Sequence, residues 1–356
     1  MISASDSRPL RVGLLGCGRI ARLSHLPALA RLPSVEVTAI AEADSGNREA
    51  CRSLAPGAVR YEDYRELIAA RPLDAVVVCL PPALHADAAI AAFERGLHVY
   101  LEKPLATTLE DGQRIVRAWR GAGTTGWVGF NFRFHPLAVQ LRAAIAGGAV
   151  GDPLGARTAF CAAGRELPAW KRRRASGGGA LLDLASHQFD LLAYVLGQKL
   201  VEVSAVLGSR VSEEDTALTQ LRFSGGAVAS VFTALSAVEE HTMEVIGPAG
   251  RLSFDRYHAS RLRLSPARRD FGKAARLRTA GAELAGWPRA LRDALSPPRE
   301  RSFALALAAF AQAARGEPVA GPGLDLGLNS LAGVLAAERA ARSGCTATVT
   351  VAEAGP

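Results

Sequence analysis

The first third of the chain alternates short, unbroken apolar runs with segments of helical periodicity. Arg11-Val12-Gly13-Leu14-Leu15 reads as a strand, Ile20 to Leu32 as a helix stopped by Pro33, and Val35 to Ala41 as a strand ending at Glu42. Arg48–Leu54 and Tyr64–Ala70 are helix-like. Ala75 to Leu80 is a strand closed by Pro81-Pro82, Ala86 to Arg95 a helix capped by Gly96, and a further strand runs into Lys103. Strands that are apolar throughout belong to a parallel sheet buried on both faces, with the helices as crossovers. This is the doubly wound α/β pattern, whose ligands bind at the carboxyl ends of the strands.

Beyond residue 126 the period changes. Arg157–Cys161, Val201–Leu207, Ala217–Phe223, Ala227–Leu235, His241–Gly247 and Arg251–Phe254 alternate as antiparallel strands do, and a strong helix, Ala180 to Leu196, precedes most of them. Phe303 to Arg315 and Leu324 to Arg342 read as amphipathic helices, and Thr346–Val351 as a closing edge strand. The expectation is two domains: residues 1–125 with the parallel sheet, and residues 126–356 as an α+β domain with a large open, mainly antiparallel sheet. Within the second, residues 256–301 form a basic excursion of no clear periodicity.

Composition narrows the function. At 356 residues the chain has ample core for two domains. No apolar run approaches the roughly 18–20 residues of a membrane span, and Met1 to Leu10 lacks the apolar region of a signal peptide. Five scattered cysteines with no C-x-x-C spacing read as reduced thiols of a cytoplasmic protein without a metal site. The net charge of +8 concentrates in Lys171-Arg172-Arg173-Arg174 and between Arg256 and Arg301. No nucleic-acid-binding signature accompanies it, so neither nucleic acid nor membrane is expected as a partner.

Gly16-Cys17-Gly18-Arg19-Ile20-Ala21 lies between the first strand and the first helix, where a dinucleotide fingerprint must be. Gly16 permits the tight turn, Gly18 lets a pyrophosphate approach the backbone, and Ala21 allows close helix–strand packing. The N-terminus of the helix, at Arg19 and Ile20, offers free N–H groups to the phosphates. Glu42, at the end of the second strand, would accept the ribose hydroxyls of NAD and repel a 2′-phosphate, so NAD is favoured over NADP. Arg48 is a counter-signal, since a nearby arginine accommodates that phosphate.

The chain has four lysines against 38 arginines, and Lys103 is the only lysine in its first 170 residues. An ammonium on a flexible stem concentrates charge and gives up its proton when desolvated, as an active-site partner must. In Gly177-Gly178-Gly179-Ala180-Leu181-Leu182-Asp183-Leu184-Ala185-Ser186-His187, three glycines open a helix on which Asp183 and His187 share one face among apolar neighbours. A carboxylate and an imidazole there are costly unless paired or functional.

Taken together, the chain resembles the Gfo/Idh/MocA oxidoreductases. The matching segments are Gly16–Ala21, Glu42, Pro81-Pro82-Ala83-Leu84-His85, Glu102-Lys103-Pro104, Asn131-Phe132-Arg133-Phe134-His135-Pro136 and Gly177 to His187, in the family's order. The resemblance implies an N-terminal Rossmann domain and a C-terminal domain whose open sheet serves oligomer contacts, in a homodimer or homotetramer. It implies catalytic roles for Lys103 on the reacting oxygen, Asp183 on substrate hydroxyls or the base, and His187 as general acid/base. Pro81, Pro82, His85, Glu102 and Lys103 would lie beside the cofactor, although His85 could equally cap its helix. Asn131 and Arg133 would line the substrate side, with His135 structural. Trp170 and Lys171 are expected on the same side; the basic stretch to Arg174 reads either as an exposed loop or as a contact for an anionic group on the substrate. Glu42 and Ala185 depart from the family's more usual Asp and Gly. The expected reaction is hydride transfer between NAD and a secondary hydroxyl or ketone of a cyclic polyol, sugar or glycoside. Redox-neutral cleavage by transient oxidation on bound NAD is the alternative, and a non-catalytic NAD-binding scaffold is disfavoured by the three catalytic residues.

Overall fold

The computed structural model describes residues 8–70, 72–164, 166–268, 281 and 300–351. Strands β1 (Leu10–Leu15), β2 (Val35–Ala41), β3 (Val59–Tyr61), β4 (Ala75–Val78), β5 (His98–Leu101) and β6 (Gly126–Val128) form one six-stranded sheet. Its order is β3-β2-β1-β4-β5-β6, and every pair is parallel. The order reverses between β1 and β4, and a crevice opens at such a switch point. The chain leaves β1 into Gly16, β4 into Cys79 to Pro82, and β5 into Glu102 and Lys103. Three of the motifs therefore meet at one sheet edge.

Helix α1 opens with a π-turn, Ala21–His25, and continues as Leu26–Leu29, shorter than the sequence spacing predicts. Helices α2 (Ser45–Ala50), α3 (Tyr64–Ala70), α4 (His85–Glu94) and α5 (Leu109–Ala122) complete the crossovers. Asp44 caps α2 through Asn47 N–H and Thr108 caps α5 through Asp111 N–H. Helix α6 (Pro136–Ala146) carries proline at its first position and is capped by His135, the structural part expected of it.

The second sheet has eight strands: β7 (Gly155–Ala163), β8 (Leu200–Gly208), β9 (Thr216–Phe223), β10 (Val228–Ala237), β11 (Glu240–Gly247), β12 (Gly250–Asp255), β13 (Arg263–Pro266) and β14 (Ala347–Thr348). They run β13-β12-β11-β7-β10-β9-β8-β14, antiparallel except for the β7–β10 pair. Helix α7, a π-turn Leu181–Ala185 followed by Ser186–Leu196, packs on β7, β9 and β10. Its residues from Leu181 to Leu192 are all buried, which explains an apolar pattern around the whole helix.

Two features differ from the expected boundary at residue 125. Strand β6 lies past it and pairs with β5. Helix α8 (Ser302–Ala314) returns to the first sheet and buries Ala306, Leu307 and Phe310 with Leu10, Tyr100 and Trp127. Three residues are too few to read as a strand, and spacing does not say which sheet an apolar helix will cover. Helix α9 (Leu324–Ser343) packs on α5, α7 and β8. Most of the basic excursion lies outside the described residues. Its two ends are joined by an ion pair between Arg256 and Glu300.

Candidate active site

The nucleotide loop follows β1. Gly16 has φ +93°, and a Cβ there would fall 2.7 Å from the Cys79 carbonyl oxygen. A Cβ on Gly18 would meet nothing within 4 Å. That open space beside the backbone is the room a pyrophosphate needs, so these residues fit NAD. Arg19 and Ile20 are exposed at the head of α1. Glu42 reaches across from β2, accepting the Cys17 N–H at 2.6 Å through Oε2 and the Asp44 N–H at 3.0 Å through Oε1. Arg48 is engaged by the Glu62 carboxylate at 2.7 Å and by the Ala43 carbonyl.

Just past β5, the Lys103 ammonium donates to Asp183 Oδ1 at 2.8 Å and to the Asp183 carbonyl at 2.7 Å. The Lys171 ammonium donates to Asp183 Oδ2 at 2.7 Å. Two of the chain's four lysines thus share one carboxylate. Burial alone would raise the Asp183 carboxyl, but the charges and hydrogen bonds of Lys103 and Lys171 hold it well below the ordinary range.

The glycine run makes this possible. Gly177 and Gly179 take φ +105° and +90°, where other residues are strained. A Cβ on Gly177 would fall 2.7 Å from the Pro82 ring, and one on Gly178 2.3 Å from the Lys171 carbonyl. The segment carrying Trp170 and Lys171 folds back onto the head of α7 only because no side chain stands there, and the Pro81-Pro82 loop closes against the same point.

His187 lies one turn beyond Asp183. Its ring stacks on Phe132, with centroids 4.4 Å apart, beside Phe130 and Phe160. Nδ1 is buried with no hydrogen-bond partner among the described residues. Burial first, then the Lys103 charge, pushes this imidazole well below its usual pKa, and Asp183 offsets only part. The ring is neutral at neutral pH. Behind it, Arg256 lies 4.6 Å from the Phe132 centroid and donates through Nε to His241 Nδ1 at 2.7 Å. His241 Nε2 meets the Gln188 amide at 3.0 Å, and that amide meets Thr158 Oγ1 at 2.7 Å. Turning the Gln188 amide so that its oxygen accepts from His241 satisfies the whole chain, down to Thr158 donating to the Thr242 carbonyl.

Other expected site residues have different partners. His85 is fully buried, and its ring nitrogens meet the Pro104 and Leu80 carbonyls, each at 2.9 Å. It does not cap α4. Its ring ties the proline loop to the lysine loop. Glu102 is turned inward, its oxygens taken by His25 Nε2 at 2.7 Å and the Lys103 N–H at 3.1 Å. The buried Asn131 amide donates to Ser302 Oγ at 2.6 Å. Arg133 forms a two-pronged bond with Asp190, at 2.8 and 2.6 Å. These bonds tie Asn131 to α8 and Arg133 to α7. In the basic stretch, Arg174 pairs with the buried Glu338 and Arg172 donates to the Leu167 carbonyl, so only Lys171 enters the cluster, with Trp170 5.2 Å beneath its ammonium. Among the described residues no group of three or more metal-ligating side chains occurs, and no helix is long and apolar enough to cross a membrane.

The model of the oxidoreductase family with an NAD-binding Rossmann fold matches residues 10–130, and that of the GFO/IDH/MocA C-terminal domain matches residues 138–253. The chain belongs to the Gfo/Idh/MocA family. It is 30% identical to the myo-inositol 2-dehydrogenase of Thermotoga maritima over 272 residues, 74% of this chain and 80% of that one. It is 32% identical to the 1,5-anhydro-D-fructose reductase of Ensifer adhaerens over 250 residues, covering 68% and 74%. The fold superimposes on the WlbA dehydrogenase of Bordetella pertussis, solved with NADH and UDP-GlcNAcA, with a TM-score of 0.80, 26% identity and coverage of 97% and 100%. As a Gfo/Idh/MocA oxidoreductase, the chain is an NAD-dependent enzyme of the dehydrogenase/reductase class.

Sequence reasoning passed over His25, His241 and Arg256. His25 had a signal: an imidazole among Leu23, Leu26 and Pro27, four residues beyond the fingerprint. His241 and Arg256 had none, because their meeting depends on the register of β11 against β12.

Proposed function

We propose that this enzyme oxidises a secondary hydroxyl of a cyclic polyol, sugar or glycoside to the ketone, or reduces the ketone in reverse. The observation that carries this reading is the convergence of Lys103, at the carboxyl end of β5, with Asp183 and His187 on α7. The names of the relatives, an inositol dehydrogenase and an anhydrofructose reductase, support the substrate class.

When bound, NAD supplies the acceptor for the hydride leaving the carbinol carbon. His187, neutral at working pH, takes the hydroxyl proton, and Nε2 is the ring nitrogen assigned to that step because Nδ1 is buried. The Lys103 ammonium donates to the reacting oxygen and stabilises the negative charge that develops there. Asp183 holds Lys103 in place and, with Lys171, presents charged hydrogen-bonding groups to neighbouring hydroxyls. The aromatic wall of Phe132 and Phe160 keeps the imidazole desolvated and upright. Glu42 selects NAD, and Arg48, engaged by Glu62, is not poised for a 2′-phosphate.

A homodimer or homotetramer is part of the proposal. Val206, Leu218 and Phe232 stand opposite one another on β8, β9 and β10 and are 70%, 46% and 40% exposed. Such a row favours cover by another chain, and light scattering after size exclusion reports the state. The reducing cytoplasm suits the five free thiols.

The test is a screen of inositols, aldoses, anhydro-sugars, sugar nucleotides and glycosides with NAD and then NADP, following reduced nicotinamide. Turnover with NAD on one of these classes is the expected result. Bond cleavage without net reduced cofactor would replace this reading with the redox-neutral one.

A further inference from the structure

His25 and Glu102 form a pair that the reaction as described does not use. His25 sits in the π-turn of α1 and is fully buried. Its Nε2 meets Glu102 Oε1 at 2.7 Å, and Glu102 Oε2 accepts the backbone N–H of Lys103 at 3.1 Å. The ring is wedged edge-on between Tyr100 and Phe303, with centroids 5.7 and 5.3 Å away. Gly129 passes so close that a Cβ there would fall 3.0 Å from the Glu102 carboxyl. The carboxylate is therefore buried and closely packed, with one oxygen on His25 and the other on the Lys103 N–H.

The direction of the hydrogen bond follows from the partners. His25 Nδ1 is buried with no hydrogen-bond partner among the described residues, and a carboxylate oxygen accepts, so His25 donates through Nε2 to Glu102 Oε1. A buried carboxylate that accepts two N–H groups is held more tightly than a neutral acceptor would be.

We propose that His25 is a positioning residue for Lys103: it fixes the Glu102 carboxylate, Glu102 fixes the lysine backbone, and the nucleotide helix and the lysine loop move as one body. The π-turn gives this its geometry, since a wide turn redirects a side chain and such turns recur at functional sites. The pair links the helix that would meet the pyrophosphate to the ammonium that would meet the reacting oxygen. This rests on the role proposed for Lys103, but the seat itself is testable without a substrate.

The scarcity of lysine makes the test clean. Reductive labelling with pyridoxal phosphate and borohydride, on the NAD-loaded protein, is read peptide by peptide at Lys103, Lys171 and the exposed Lys199. His25→Phe keeps the ring and removes the N–H; His25→Gln restores a donor; Glu102→Gln removes the charge. The Lys103/Lys199 ratio is expected to rise about fivefold or more in H25F and E102Q, return to within about twofold in H25Q, and leave Lys171/Lys199 within about twofold. An unchanged Lys103 ratio in a folded H25F or E102Q, or an equal rise at Lys103 and Lys171, overturns the proposal. If H25F does not fold, E102Q decides. A raised Lys103 ratio with undiminished turnover would keep the seat and remove the catalytic role of Lys103.

Discussion

Lys103 and Lys171 hold opposite oxygens of the Asp183 carboxylate, at 2.8 and 2.7 Å, from positions 80 and 12 residues away in sequence. Each ammonium keeps the carboxylate ionised, while burial first, and then the Lys103 charge, keeps the neighbouring His187 imidazole neutral. The three groups have to be considered together.

Lys103→Ala would remove the donor proposed for the reacting oxygen and is expected to lower kcat/KM by about 10²–10⁴. Lys171→Ala leaves Lys103 in place and is expected to cost about tenfold, mostly in KM for the sugar. Asp183→Asn removes the charge that both part-buried ammoniums share and is expected to destabilise by about 2–4 kcal/mol. Kinetics and urea unfolding of the three variants check the order. Equal losses for Lys103→Ala and Lys171→Ala would contradict it.

Two glycines separate cofactor room from structural room. A Cβ on Gly18 meets nothing within 4 Å, so Gly18→Ala is expected to leave the melting temperature unchanged while weakening NAD binding at least about tenfold. A Cβ on Gly178 lands 2.3 Å from the Lys171 carbonyl, so Gly178→Ala is expected to cost about 1–3 kcal/mol and displace Lys171. Calorimetric titration with NAD beside thermal melts reads both. Normal NAD affinity in Gly18→Ala would remove the pyrophosphate from this loop.

The same glycines mark what the sequence let a reader see. The strands of the first sheet were legible because parallel strands buried on both faces are continuous apolar runs, and those of the second because their faces alternate. The fingerprint, Lys103, Asp183 and His187 were legible because each sits where its element ends or where a polar group is costly. Asn131, Arg133, His85 and Glu102 were legible as polar residues in matching segments, yet their partners are Ser302, Asp190, two carbonyls and His25. Apart from the Leu80 carbonyl, 5 residues from His85, those partners lie 19 to 171 residues away, and a motif does not say which distant group its polar atoms will find. Strand β6 and the return of α8 to the first sheet were hidden for the same reason.

Glu42, proposed to select the nucleotide, also accepts the Cys17 N–H. Glu42→Ala is therefore expected to weaken NAD about tenfold or more and to narrow the preference for NAD over NADP. The ratio of kcat/KM for the two cofactors measures it. An unchanged ratio would assign selectivity elsewhere.

Acid stability follows from the buried histidines. Burial holds His187 and His241 well below their ordinary pKa. The unfolded chain then binds protons that the folded chain refuses once pH falls below about 6.5, so stability declines from there downward. The slope from these two is at most about 2.7 kcal/mol per pH unit. Asp183, depressed in the fold, adds its own loss only below about pH 4. Urea unfolding from pH ~7.5 to ~5.5 checks the first window, and a flat profile would mean that the histidines titrate normally in the fold.

The central claim is that neutral His187 is the base and Lys103 its charged partner on one reacting oxygen. The most direct measurement is the pH dependence of kcat/KM for NAD-linked oxidation of the best substrate in the screen, in wild type and His187→Asn. The account predicts activity that persists on the acid side past pH ~6.5, because the imidazole stays neutral there, and a loss of about 10²–10⁴ in the variant. A variant within about twofold of wild type across that range would show that another group takes the proton.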